Sequence, residues 1–277
     1  MAQEKTFPPE PFLNLLNYIK MKKHSKQYIY SSIILITVFY ALYKLFSTNN
    51  YPWQWYRIWD FFAVYDEGKW WAGEFVFGLE KTIYIVSSSI LLSFLIGMIT
   101  AIAGFAKGKI ANGFVKLYIT FVRNTPVLVQ IYLTYFILAP ILGIDRFITG
   151  VIVLSIYEGA FVSEIIRGAI KSVNRGQWEA CYSLGINPFY TAKKVILPQA
   201  LRLLIAPITN VSINLLKHSS IVSVIAVQDL TTVGRDLISE TYLTMEIWIA
   251  IAFLYWFLSS IFATIGRIIE KQIKWKN

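Results

Sequence analysis

The sequence predicts an all-α membrane protein with six transmembrane helices and both termini in the cytoplasm. Three observations carry that prediction. Of 277 residues, 56% are hydrophobic and only 15% charged, whereas soluble domains run at roughly half and roughly a quarter. Six apolar stretches approach the ~20 residues that a membrane helix needs. Lys and Arg gather in alternate connections between those stretches, which is the positive-inside pattern. The single cysteine, Cys181, excludes a disulfide framework or a thiolate metal centre. Two histidines, His24 and His218, exclude a His-rich site, so no metal site is expected.

In chain order, residues 1–26 form a cytoplasmic amphipathic segment. Phe12, Leu13, Leu16 and Ile19 recur at helical spacing beside Lys20, Lys22, Lys23 and Lys26, which suits a helix lying on the inner leaflet. Residues 27–46 form the first span, with Lys44 placed to snorkel from its end. A basic segment before a short apolar run resembles a signal peptide, but Lys44, Leu45 and Phe46 follow where small residues would mark cleavage. A retained anchor is expected. Residues 47–77 form an outer loop carrying Trp53, Trp55, Trp59, Trp70 and Trp71, and indole favours the headgroup zone.

The second span, 82–106, and the sixth, 247–266, are free of charge. The third is charge-free over 124–144, extends back to about 114 across Arg123 and, near its start, Lys116, and contains Pro126, which removes a backbone hydrogen bond and loosens the helix. The fourth, 147–168, carries Glu158 and Glu164, and the fifth, 203–228, is interrupted by Lys217 and His218. Residues 271–277 form a basic tail.

With the N-terminus inside, the cytoplasmic face receives Lys107, Lys109 and Lys116, then Arg167, Lys171, Arg175, Lys193, Lys194 and Arg202, then Arg267 and Lys271. The opposite face receives few. The net charge of +10 is therefore spread along one membrane face, so lipid and not nucleic acid is the expected partner. No G-x-x-x-x-G-K-[ST], H-E-x-x-H or G-x-S-x-G occurs. The chain is expected to bind no ATP and to be no enzyme.

The connection 171–198 is richer than a linker needs. Residues 177–184 suit a short helix that Gly185 terminates. A second short helix can run over 188–197, with Pro198 opening the next element. A pair of short helices can dock into a groove on a partner.

Within this connection, Glu179, Ala180, Gly185, Leu197 and Pro198 stand at the spacing of the E-A-A loop, with Cys181 in place of the third Ala and Val195 in place of Ile. The chain thereby resembles the permease subunits of bacterial ABC importers, in which this loop is the coupling helix that fits into the ATPase. The stretch 121–130, F-V-R-N-T-P-V-L-V-Q, is similar to a motif of polar amino acid permeases, with Asn124 where Gly is usual. Residues 163–168, 172–177 and 215–220 resemble further family stretches, the last with His218 in place of an acid.

The resemblance covers about residues 78–270. It implies a five-helix permease core in the bacterial inner membrane, to which the first span is an N-terminal addition. It also implies import of polar amino acids. The implied partners are two ABC ATPase subunits holding ATP and Mg, a second permease (identical or related) and an extracytoplasmic amino-acid-binding protein. This chain itself is expected to hold no cofactor. The rival class is an ion-gradient-driven secondary carrier or channel. The coupling motif and the absence of internal repeats stand against it.

Ionisable residues at bilayer depth are expensive, so they are paired or line a polar path. At ~1.5 Å per residue, Arg123 and Glu164 reach similar depth, and a buried ion pair between the two helices is expected. Glu158 lies at mid-span, either meeting a cationic group of the substrate or pairing with Arg123 or Lys217. Lys217, His218, Ser219 and Ser220 break the apolar run as pore lining near a subunit contact. The candidate substrate-binding set is Glu158, Arg123, Thr125, Lys217 and Ser219. The coupling set is Glu179, Ala180, Gly185, Leu197 and Pro198.

Overall fold

The structure, a computed structural model, describes residues 30–41, 43–44, 51–106 and 108–274. They fall into two units, 1–53 and 54–277. In the first unit, helix α1 (Tyr30–Ala41) is apolar but shorter than a span requires. The expected amphipathic segment 1–26 lies outside the described residues, as do 45–50 and the end of the tail. Among the described residues four helices are long and apolar enough to cross a membrane, with one further bent pair.

The second unit opens with a 3-10 turn, Trp55–Phe61, and a hairpin of β1 (Ala63–Asp66) and β2 (Lys69–Ala72). This corrects the all-α expectation for the Trp-rich segment. Asp66 faces Lys69 across a two-residue turn. Glu67 and Gly68 both take positive φ, the form whose twist matches the strands it joins.

Helix α2 (Glu74–Ala103) follows and packs most extensively on α6 (Arg146–Ser172). Small residues allow that approach. A Cβ on Gly97 would run into Val162, and one on Gly159 would lie 2.8 Å from Ile96 Cγ2. Across the same seam the Ser89 hydroxyl reaches the Val151 carbonyl at 3.4 Å. Asp145 caps α6 by accepting from the Ile148 N–H at 2.9 Å.

The expected third span is not one helix. Helix α3 (Lys109–Asn124) and the run from α4 (Val127–Leu133) to α5 (Ala139–Leu142) meet at 106°. Thr125 is extended, with φ −113° and ψ 139°, because a residue before proline is pushed out of the α region.

The cross-over region also differs from expectation. Helix α7 (Arg175–Ser183) is a separate helix, but α8 (Pro188–Thr191) runs without a break into α9 (Leu197–Ser219). Pro198 does not start a new element. One π-turn, Ala192–Ile196, precedes it, and the Leu197 N–H bonds the Ala192 carbonyl five residues back. The wider turn makes room for the pyrrolidine ring inside a continuous helix. The same device recurs at Thr134–Leu138, just before Pro140.

Beyond α9 a 3-10 turn (Ser220–Ile225) ends at Ala226, and α10 (Leu230–Thr241) precedes α11 (Thr244–Lys274). The α10 helix was not expected from the sequence. Phe75, Leu230, Leu237, Ile247 and Ile251 form one buried cluster at its end of the unit. Ala101, Val162, Ile166, Ile196 and Ala200 form another nearer α7.

Candidate functional site

Helix α6 carries two acid–base contacts to different neighbours. Glu158, 3% exposed, accepts a hydrogen bond from or shares a proton with His218 Nδ1 of α9 at 2.8 Å. Neither Arg123 nor Lys217 is its partner, which corrects the pairings weighed from the sequence. Six residues on, Glu164 forms an ion pair with Arg123 at the end of α3. Those two side chains are 39% and 44% exposed, so this is a pair on a cleft wall and not a buried tie.

Aromatic rings connect the two contacts. His218 meets the Tyr157 ring edge-on with centroids 5.5 Å apart. Tyr157 meets Phe161 at 5.3 Å. The Arg123 guanidinium lies 5.1 Å from the Phe161 centroid, within cation–π range. Positions 157, 161 and 164 fall on one face of a 3.6-residue helix, so α6 supplies the middle of this line between His218 of α9 and Arg123 of α3. Arg123, Glu164, Phe161, Thr120, Asn124 and Ile119 enclose a polar cleft of about 290 Å³. Opposite charges and a ring face in one cleft suit a small zwitterion with a polar side chain.

The other substrate candidates lie elsewhere. Lys217 is exposed on α9 and forms no ion pair among the described residues. Ser219 is fully buried, and its hydroxyl donates to the Leu216 carbonyl of its own helix at 2.7 Å. Thr125 closes the α3–α4 corner, donating to the Phe121 carbonyl at 2.9 Å. Gln130 of α4 completes that corner, donating to the Val122 carbonyl at 2.9 Å and to Thr125 Oγ1 at 2.7 Å. Sequence reasoning missed it, although a Gln eight residues after Val122 and four after Pro126 was a usable signal.

Asp229 was also missed. It is fully buried at the start of α10. It accepts from the Thr232 and Thr231 N–H groups at 3.0 and 3.2 Å and from the Tyr255 hydroxyl at 3.3 Å. Burial pushes its carboxyl above the ordinary range, and the Thr232 and Thr231 hydrogen bonds only partly offset that. The D-x-x-T spacing is an N-cap signal legible in the sequence.

The coupling candidates form an exposed knob. Glu179 pairs with Arg175 one turn earlier at 3.2 Å, with both side chains largely in solvent. Ala180 is exposed on the same helix, and Leu197 and Pro198 are exposed at the start of α9. Asn174 caps α7, accepting from the Gly176 N–H at 2.8 Å. Gly185 takes φ 69° and ends it, with the Ile186 N–H on the Cys181 carbonyl at 3.0 Å. Tyr182, Leu184, Phe189 and Tyr190 project from the knob, each more than half exposed, more apolar surface than a solvated turn carries.

Residues 93–275 match the family described as binding-protein-dependent transport system inner membrane component. The L-cystine transport system permease TcyB of Bacillus subtilis (strain 168) is 33% identical over 198 residues, covering 71% of this chain and 85% of that protein. The glutamine transport permease GlnP of Escherichia coli (strain K12) is 34% identical over 200 residues, covering 71% and 91%. A crystal structure of an amino acid ABC transporter with histidines superposes with a TM-score of 0.68 at 34% identity, over 72% of this chain and 94% of that one. The inward-facing MetNI methionine ABC transporter, 20% identical with a TM-score of 0.61, shares the fold.

Proposed function

The chain belongs to the inner membrane components of binding-protein-dependent transport systems, and on that premise we propose that it is the permease subunit of an ATP-driven importer of polar amino acids. The observation that carries this reading is the similarity to glutamine and cystine permeases over most of their length. ATP hydrolysis then belongs to a separate subunit. The α7 knob docks on that ATPase, with Glu179 accepting charge-assisted hydrogen bonds from it and Gly185 setting the turn. Motion of the knob passes along the unbroken α8–α9 helix to His218, and so to Glu158. A second permease copy or a related chain completes the pathway, and an external binding protein delivers the substrate.

The topology that fits is six spans with both ends cytoplasmic. Residues 27–46 are an added helix before the core at 78–270, and the bent α3–α4–α5 run serves as one span. Glu158 and Arg123 are the charged groups that meet the amino acid, Glu158 through a cationic group and Arg123 through a carboxylate. Lys217 is a secondary candidate, while Thr125 and Ser219 hold backbone geometry.

The test is purification of the chain with its co-expressed ATPase and partner permease, followed by uptake of radiolabelled L-glutamine, L-cystine, L-arginine and L-histidine into proteoliposomes supplied with the binding protein. ATP-dependent uptake of at least one is expected. Uptake that follows an imposed ion gradient without ATP would instead identify a secondary carrier.

A further inference from the structure

In a regular helix the carbonyl of Val122 would accept from the N–H of residue 126, but residue 126 is a proline and has none. The amide of Gln130 supplies the missing donor, with Nε2 2.9 Å from Val122 O. The same nitrogen lies 2.7 Å from Thr125 Oγ1 and 3.2 Å from Thr125 O. Thr125 Oγ1 in turn donates to Phe121 O, the carbonyl that would otherwise take the Thr125 N–H. Two side chains thus close the last turn of α3 at a 106° corner, as irregular backbone at membrane depth requires. Arg123 sits on that turn, between Val122 and Thr125. Its guanidinium lies against Phe161 and Glu164. Gln130 itself does not line the cleft.

We propose that Gln130 is a positioning residue: its amide holds the end of α3 so that Arg123 faces the cleft, and through Arg123 it sets the apparent affinity for the transported amino acid. The inference rests on the reading that Arg123 meets the substrate. Gln130→Met keeps the length of the side chain and removes both donors. In proteoliposomes holding the full transporter, with radiolabelled L-glutamine, L-arginine and L-cystine as probes, Gln130→Met is expected to raise KM about tenfold while Vmax changes less than about twofold. In an Arg123→Gln background it should raise KM no further, because residues acting through one another are not additive.

A fall in Vmax with unchanged KM, or independent multiplication of the two effects, would overturn the inference and leave Gln130 a purely structural corner. If Arg123→Gln raises KM and Gln130→Met does not, only the clamp is overturned. If Arg123→Gln itself leaves KM unchanged, the reading of the cleft fails, and the inference fails with it. Should Gln130→Met not reach the membrane, Gln130→Asn, with the amide one methylene short, makes the same comparison.

Discussion

Glu158 and His218 meet at 2.8 Å across the α6–α9 seam, with the carboxylate buried and the imidazole about one-third exposed. The acid at mid-span is therefore already occupied, and any cationic group that reaches it competes with an imidazole. His218 is also only one residue past the exposed Lys217 and sits at the end of the helix that begins beside the α7 knob.

The first prediction concerns this pair. Glu158→Gln keeps shape and hydrogen bonding but removes the charge. It is expected to weaken uptake of L-arginine and L-histidine about tenfold relative to L-glutamine, as loss of one favourable charge contact at a buried carboxylate implies. An unchanged ranking across the panel would leave Glu158 as a structural acid. His218→Leu strands the buried carboxyl and should lower thermal stability by about 1–3 kcal/mol, whereas His218→Gln retains a donor and should lose less. Fluorescence melting in detergent compares them.

For Arg123 and Glu164, each single neutralisation leaves one charge against the cleft wall without its partner. Arg123→Gln combined with Glu164→Gln is expected to recover about half of the membrane level lost by the worse single variant, since the pair is coupled. Immunoblots of membrane fractions read this. Strictly additive losses would show that the contact contributes nothing.

Glu179→Ala leaves α7 capped by Asn174 and ended by Gly185. It is expected to insert normally and yet cut both uptake and substrate-stimulated ATP hydrolysis about tenfold or more, because a charge-assisted contact to the ATPase is lost. Its ion pair with Arg175 is highly exposed, so loss of that pair cannot account for such an effect. Normal uptake in these membranes would rule out the coupling role.

Asp229 provides a pH test. Its carboxyl is raised above its ordinary 3.8 by burial, so the folded state binds the proton more tightly than the unfolded state. Stability from this group therefore falls as pH rises from about 3.8 through the raised folded-state value. Asp229→Asn keeps the cap and removes the titration. Wild type should lose stability relative to this variant over that interval, and Asp229→Ala should be about 1 kcal/mol less stable than Asp229→Asn at every pH. Parallel melting curves for wild type and Asp229→Asn across pH would refute it.

The sequence by itself determined the membrane class, the family and the knob. Long apolar runs, a positive glycine turn at Gly185 and an acid spaced six residues before it are local properties, readable because helices and turns are short-range objects. It also carried the four long helices of the core, which extend past the apolar runs at one end or both. Tertiary structure decided the rest. Pro126 and Pro198 carry the same ring and lack the same donor, yet one turns the chain by 106° and the other rides a π-turn inside a continuous helix. The difference lies in which donors are within reach: Gln130 closes the carbonyls at the first, while a wider backbone turn absorbs the ring at the second. The partner of Glu158 was likewise fixed by how α9 lies on α6, sixty residues away in sequence. Depth arithmetic along straight spans cannot choose among Arg123, Lys217 and His218, because the single-residue step from 217 to 218, about 100° around α9, exchanges a lysine that faces outward for a histidine that faces the acid.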